Sequence, residues 1–310
     1  MSMQGMAFSL QQTRKTGAVF RSAFHELLRN QPLQMAAATA FFTTFALPSI
    51  LIIITQVAGL LINPEAMREQ LFDHLSGMVG ADSIEQIMNV VEEMKSLAQN
   101  WYLTAGGVIF LFFVATTLFK VIKNSINQIW KIKPVTKRSF GERLKGRLPS
   151  LFVILIAGVL FLVGMLLETM QTVLGRYVDL LPETLAFFLN GILNYVVSLV
   201  VVTLWFSILF RYIPDARAPW RIALAGGLVT GVLFSIGKFL LQRLLVAGNV
   251  TTLYGASGSF VLILLFVFYS SFLLYYGAAF LLAWADYKAK DLNPLPGVVR
   301  YEVKEVETNS

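Results

Sequence analysis

Long apolar stretches separated by short polar segments extend over most of the 310-residue chain. A helix of about 20 apolar residues crosses the hydrocarbon core of a bilayer, which is about 30 Å thick. Six stretches qualify or nearly qualify, at residues 36–62, 103–119, 150–174, 185–210, 222–246 and 259–284. The pattern therefore predicts an all-α, polytopic membrane protein, with one membrane domain over residues 1–310 and six transmembrane helices within 36–284.

Two of these stretches have unusual features. Pro48 lies near the middle of the first and removes a backbone donor, so we predict a kinked first helix. The second, 103–119, is short by itself, and its helix is expected to continue into the polar segment that follows.

A helical pattern is also present before the first span, within residues 1–35. An apolar face is formed there by Phe20, Phe24, Leu27 and Leu28. This face predicts a cytoplasmic helix lying in the membrane interface. A short helix packed on the bundle explains the same pattern equally well.

The segment 63–100 joins the first two spans and has a net charge of −5. It contains an apolar stripe at helical spacing, formed by Ile84, Ile87, Met88, Val91 and Met94. We predict a small amphipathic helical cap, interpreted as a lid on its own bundle. The alternative is a surface on which a partner protein docks.

Composition and charge add a direction to this picture. The chain is 56% hydrophobic and only 14% charged, with a mean hydropathy of +0.67, which is typical of membrane proteins. Twenty of the 25 lysines and arginines lie in the segments that one side of the membrane would receive. The positive-inside rule places that side, with both termini and the tail 285–310, in the cytoplasm. The cap is then on the outer side.

The fifth span contains a lysine, Lys238, within an otherwise apolar segment. Small residues recur every four positions before it, which predicts close helix packing through Ala223, Gly227, Gly231 and Ser235. Lys238 continues about the same face. A charge facing lipid near the bilayer centre costs about 3 kcal/mol, so we expect Lys238 to face a helix or a cavity. Arg243 is closer to the end of the span and is expected to extend to the interface.

Other polar residues are predicted near the depth of Lys238. A substrate-binding cavity centred on Lys238, with Glu168 as its counter-ion, is one hypothesis. The alternative is a set of hydrogen bonds that only hold the bundle together. The residues predicted for the cavity, besides these two, are Asn190, Asn194, Ser198 and Gln242, with Tyr269, Ser270 and Ser271 nearby.

A second group of cations follows the second span. Lys120, Lys123, Asn127 and Lys131 recur at helical spacing, with Asn124 on the same face. They are candidates for attracting an anionic headgroup at the cytoplasmic surface. The alternative is an ordinary positive-inside anchor that faces water.

Four segments combine small, aromatic and proline residues: MAAATAFFTTFALPSILIII, LTAGGVIFLFFVATTLFKVIKNSINQIWKIKP, YIPDARAPWRIALAGGLVTGVLFSIGKFLLQRLLV and YGASGSFVLILLFVFYSSFLLYYGAAF. With them, the chain resembles the YihY/BrkB family of bacterial inner-membrane proteins over roughly residues 20–290. The resemblance implies a six-helix inner-membrane protein with cytoplasmic termini. It also implies a role in envelope integrity or in transport of lipid or glycolipid precursors. Ala279 departs from the family, which commonly has a glutamate there.

Two functions from different classes are therefore carried forward. The first is a transporter or flippase-like protein for an anionic lipid or lipid-linked substrate, with membrane lipids as partners. The alternative is a non-transporting envelope scaffold that binds another envelope protein through its outer cap. The small-residue stripe would serve packing within the chain or a homo-oligomer.

Enzymatic functions are disfavoured by the residues available. The family's older ribonuclease label would need an acid and a base at one phosphate, yet His25 and His74 are predicted on opposite sides of the membrane. Cysteine is absent, and no phosphate-binding loop or metal-ligand cluster is present in the sequence. We predict no cofactor, no metal and no nucleic-acid partner.

Overall fold

The computed structural model describes residues 17–59, 84–85, 87–89, 101–135, 164, 183–247 and 258–302. Within these ranges the long helices are α1 (17–28), α2 (Pro32–Gly59), α3 (Trp101–Ile129), α4 (Glu183–Tyr212), α5 (Trp220–Ala247) and α6 (Gly258–Tyr287). Helices therefore occupy five of the six predicted spans. The span predicted at 150–174 lies outside the described residues, apart from Gly164, which is helical.

Three of the described helices contain segments long and apolar enough to cross a membrane: Tyr195–Tyr212, Trp220–Leu241 and Phe260–Tyr287. A shorter apolar segment, Pro32–Leu47, belongs to α2. The second predicted span does continue, because α3 extends to Ile129 without a break. The full count of six spans and the kink at Pro48 stay predictions.

Local sequence explains where several helices begin and end. Pro32 opens α2, a position where its missing N–H is not needed and its fixed φ suits a helix. Lys131 and Ala289 follow α3 and α6 with φ angles of 56° and 49°. This left-handed conformation closes a helix, and after α6 the N–H of Lys290 donates to the carbonyl of Ala285 at 2.9 Å.

The helices pack in a continuous series. Helix α4 packs against α5, α5 against α6, α6 against α2, and α2 against α3. The largest buried side chains include Trp130, Tyr275 and Phe210, all in one hydrophobic core. This core lies where α1, the last turn of α3, the α4–α5 connection and the C-terminal segment meet. We call this region the tail end of the bundle, and the region around the last turns of α5 the opposite end.

Helix α1 has two apolar faces. Val19, Ala23 and Leu27 are buried in the core, so this face packs on the bundle. The predicted face is split, because Leu27 is fully buried whereas Phe20, Phe24 and Leu28 are 38%, 48% and 52% exposed. One face of α1 thus packs on the bundle, and the exposed residues leave an apolar stripe that the predicted interfacial position would use.

The predicted all-α fold needs one correction at the C-terminal segment. Strand β1 (Ile132–Pro134) pairs antiparallel with β4 (Val298–Arg300), and β2 (Ala216–Arg217) pairs antiparallel with β3 (Asn293–Pro294). The tail is thus hydrogen-bonded to the segments that follow α3 and α4. Strands of two or three residues are too short to show an alternating pattern, so the sequence did not reveal them.

Candidate functional site

Helix α5 places Lys238 about 14 Å, or nine residues, before its last residue, Ala247. The residues before Lys238 lie against α4. A Cβ atom added at Gly227 would overlap the hydroxyl of Ser207 and the carbonyl oxygen of Thr203. At Gly231, an added Cβ would lie 3.0 Å from the Thr203 hydroxyl. The predicted small-residue stripe is therefore a close helix contact within one chain.

The residue directly before Lys238 lies against a different helix. An added Cβ at Gly237 would overlap the ring of Tyr269 on α6. The Tyr269 hydroxyl donates to the carbonyl of Leu233 on α5 at 3.2 Å. Lys238 therefore directly follows a close contact between α5 and α6, and its own side chain is half-buried.

The structure describes only some of the predicted neighbours of Lys238. Ser198 is exposed on α4. Glu168 and the side chains of Asn190, Asn194 and Gln242 lie outside the described residues. In the part of the chain that the structure covers, no carboxylate lies within 4 Å of the Lys238 ammonium.

The other polar side chains predicted nearby have partners in their own helices. Ser235 donates to the carbonyl of Gly231 at 2.9 Å. Ser270 and Ser271 donate to carbonyls one turn earlier in α6, at 2.8 and 2.7 Å. Arg243 is exposed, and its guanidinium lies 5.3 Å from the centre of the Phe239 ring. These contacts leave Lys238 as the charged group that lacks a described partner in this region.

The second predicted cation group is arranged differently from the expectation. The Lys123 ammonium lies 2.8 Å from a carboxylate oxygen of Asp215, and Lys131 lies 2.9 Å from Glu26. Only Lys120 of the three lysines is exposed. Because both ion pairs join separate segments of the chain, Lys123 and Lys131 stabilise the packing at the tail end. The helical spacing did not reveal this role.

Asn127 adds two hydrogen bonds to Asp215. Its amide nitrogen donates to the Asp215 carboxylate at 2.8 Å, and its amide oxygen accepts from the Asp215 backbone N–H at 2.9 Å. Both residues are buried. The carbonyl of Asp215 also accepts from the N–H of Leu295 at 2.9 Å. Asp215 therefore ties α3, the α4–α5 connection and the tail together.

Sequence reasoning missed Asp215, although a signal was present. Asp215 is the only acidic residue between positions 184 and 285. It also follows Pro214 in a short connection between two apolar spans, where a single acid among arginines is unusual. Its partner on α3 was not apparent, because the two residues are 88 positions apart.

Further hydrogen bonds hold the other helices at the tail end. The Trp130 ring N–H donates to the carbonyl of Ala278 at 2.9 Å. The hydroxyls of Thr39 and Tyr275 lie 2.5 Å apart and join α2 to α6. Ala279, at the family's acidic position, is fully buried in the same core. A glutamate there would have to be desolvated, so the alanine suits this apolar environment.

The cap is represented by the short helical pieces 84–85 and 87–89. Ile84 and Ile87 are buried against Ile263 of α6, with Leu47, Met88, Phe266 and Val267 packed around them. The described part of the predicted apolar stripe therefore covers the chain's own helices, as the lid interpretation requires.

Potential metal ligands are dispersed at these positions. In the described ranges, no three His, Asp or Glu side chains are close enough together to hold a metal ion. The described side chains at the two candidate regions are single cations, ion pairs and hydrogen-bonding amides and hydroxyls.

Long apolar helices with small-residue contacts and a lysine within one of them define a polytopic α-helical membrane protein. The chain belongs to the family described as Virulence factor BrkB, which matches residues 23–297. This confirms the resemblance drawn from the sequence.

Relatives are named as membrane proteins of the UPF0761 type. One from Pseudomonas paraeruginosa is 28% identical over 261 residues, which is 82% of this chain and 59% of the relative. Another from Azotobacter vinelandii is 27% identical over 283 residues, or 89% of this chain and 65% of the relative. The chain spans about three-fifths of the length of the curated relatives it matches. No solved structure matches it.

Proposed function

We propose that this chain is a bacterial inner-membrane transporter or flippase-like protein that moves an anionic amphipathic molecule, such as a phospholipid or a lipid-linked precursor. Membership of a membrane-protein family supports the coarse class. The observation that carries the finer proposal is Lys238, a half-buried cation on an apolar helix with no carboxylate partner in the described residues.

Electrostatics favour an anionic ligand at this position. An ammonium group inside the apolar zone is stabilised by any anion that reaches it, because the low dielectric strengthens their attraction. A lipid phosphate can approach from the bilayer between two helices without leaving the membrane plane. The Tyr269 ring, which packs on Gly237, lies beside this route. Opening the route by rotating one ring is a smaller change than separating two helix backbones.

The many contacts between segments at the tail end also support the proposal. Ion pairs, amide hydrogen bonds and two strand pairs join the helices there. Around Lys238, the contacts among the described residues are instead a ring on a glycine and serines bonded to their own helices. A bundle that is held at one end can change its helix spacing at the other, which transport through alternating access requires.

The test uses the purified full chain in liposomes that contain a trace of fluorescent phosphatidylglycerol, whose transfer between leaflets is followed by chemical quenching of the outer leaflet. We expect Lys238→Ala to slow transfer by at least about tenfold, the loss of one hydrogen bond to a charged group. Lys238→Arg should retain most of the rate. Arg243→Ala is the matched control, since it removes an exposed cation from the same helix.

Two outcomes would contradict the proposal. In the first, the wild-type protein transfers labelled phosphatidylglycerol no faster than protein-free liposomes do. In the second, Lys238→Ala and Arg243→Ala behave alike. Loss of envelope integrity after deletion of residues 63–100, with none for Lys238→Ala, would instead favour the scaffold that acts through its cap.

A further inference from the structure

An arginine–aromatic cluster lies where α4 ends and α5 begins. The guanidinium of Arg211 lies 4.8 Å from the ring centre of Trp220 and 5.7 Å from that of Tyr212. The guanidinium of Arg217 lies 4.9 Å from the Tyr212 ring centre. The two rings are themselves 6.2 Å apart and nearly perpendicular. Two cations are thus held against two aromatic faces within ten residues of the chain, 211–220.

Backbone hydrogen bonds fix the orientation of both guanidinium groups. Arg211 donates through Nη1 to the carbonyl of Ala218. Arg217 donates through Nη1 to the carbonyl of Arg211 at 3.0 Å. These bonds use one of the five N–H donors of each guanidinium. The cluster is therefore pre-organised, and Nη2 of each guanidinium has no hydrogen-bond partner among the described residues.

The charge of the cluster is not balanced within the described residues. No carboxylate there lies within 4 Å of Arg211 or Arg217. Asp215, between them in sequence, is already bonded to Lys123 and Asn127. The Arg211 Nε is buried and has no hydrogen-bond partner at the described positions. An anionic ligand that contacts the Nη groups would balance this charge.

The position of the cluster indicates what kind of anion reaches it. Tyr212 and Trp220 are the terminal residues of two membrane-crossing segments, so the rings lie at the level of lipid headgroups. Trp220 is 43% exposed. Planar guanidinium groups bind phosphate through two parallel hydrogen bonds, which a lysine ammonium does not offer.

We propose that Arg211 and Arg217, held against Tyr212 and Trp220, bind a phosphate group at this surface of the bundle. The phosphate belongs either to an anionic lipid headgroup or to a soluble phosphate compound. The site is separate from Lys238 and does not depend on the proposed transport.

The experiment measures binding of phosphatidylglycerol to the detergent-purified full chain by native mass spectrometry. Arg217→Gln should weaken binding by about tenfold, since it removes charge-assisted hydrogen bonds. Arg217→Lys keeps the charge and should still weaken binding, by about threefold, because the lysine ammonium cannot make the two parallel hydrogen bonds of a guanidinium. Arg29→Gln is the matched control, because it removes an exposed arginine that follows α1 and is not part of the cluster.

Competition with inorganic phosphate separates the two sources. If millimolar phosphate leaves the Arg217-dependent lipid adduct unchanged, the ligand is a lipid headgroup. If phosphate alone raises the melting temperature of the wild type but not of Arg217→Gln, the ligand is a soluble phosphate. Equal losses for Arg217→Gln and Arg29→Gln, or full binding by Arg217→Gln, would overturn the site in favour of diffuse surface charge.

Discussion

The two ends of the helix bundle are held together by different interactions. At the tail end, side chains and strands from segments far apart in sequence bond to one another, as Lys123, Asn127 and Asp215 do. At the opposite end, Gly237 of α5 lies against the Tyr269 ring of α6, and Lys238 has no described carboxylate partner.

This difference separates two uses of polar residues in a membrane protein. Charges at the tail end are paired and hydrogen-bonded, so they add directional contacts between helices. The lysine at the opposite end adds no such contact in the described residues. A cation that is costly to place in an apolar helix and has no carboxylate partner among the described residues is a candidate for binding. Disruption of contacts at each end tests this distinction.

The largest effect is expected from Asp215→Ala. The substitution removes the carboxylate that pairs with the partly buried Lys123 ammonium and accepts from the buried Asn127 amide nitrogen, which costs about 3 kcal/mol of unfolding free energy. The bond from the backbone N–H of residue 215 to the Asn127 amide oxygen is kept. Asp286→Ala is the matched control, since its pair with Arg300 is exposed and contributes less than about 0.5 kcal/mol. Thermal unfolding in detergent measures both. Similar melting temperatures for the two variants would show that Asp215 does not stabilise the tail end.

A smaller effect is expected from Gly227→Ala. The new methyl group meets the backbone of α4, which cannot move aside, and the loss is about 2 kcal/mol. Gly237→Ala meets mainly the outer end of the Tyr269 ring, which can rotate, so it should cost less than about 1 kcal/mol. Gly106→Ala, with open space around it, is the control for the change of residue type. The measurement is the order of the melting temperatures of the three variants. A larger loss for Gly237→Ala than for Gly227→Ala would contradict looser packing at the opposite end.

Tyr275→Phe should reduce the unfolding free energy by about 1 kcal/mol, because it removes the hydroxyl that contacts Thr39 between α6 and α2. The neighbouring Tyr276 provides a control. Its hydroxyl lies 3.5 Å from the Phe20 carbonyl, too far for a strong bond, so Tyr276→Phe should change little. Equal melting temperatures for the two variants would show that the Thr39–Tyr275 hydrogen bond does not stabilise the fold.

The smallest effect is expected from Lys131→Gln. Loss of the partly exposed pair with Glu26 should weaken the attachment of α1 by about 0.5 kcal/mol. Hydrogen exchange would then be about twofold faster over residues 17–28 and unchanged elsewhere. Lys120→Gln removes an exposed lysine from the same helix and should leave the exchange of α1 as it is. Faster exchange in both variants would indicate a general charge effect.

Much of the fold was readable from periodicity. Five predicted spans coincide with described helices, the second helix continues as expected, and the Gly227–Gly231 face packs closely. These features depend on residues within one helix, so a single sequence displays them. The lid interpretation agrees with the burial of Ile84 and Ile87, since a regular apolar stripe needs a surface to cover it.

The tail strands and the partners of the lysines were not readable. Spacing placed Lys123 and Lys131 on a helix face but gave no information about acids elsewhere in the chain. Asp215 and Glu26 come from other segments, and their distances to the lysines depend on how the helices pack. The tail pairs with segments about 80 and 165 residues earlier, through strands too short to have a pattern.

The sequence alone therefore determined the membrane class, the positions of most helices and the presence of a lysine within an apolar span. Local hydrophobicity and helical periodicity are sufficient for these. Tertiary structure alone decided which charges are paired, which glycines touch backbone and where two arginines meet two aromatic rings. Those properties belong to contacts between distant segments, and chain folding brings these within a few ångströms of each other.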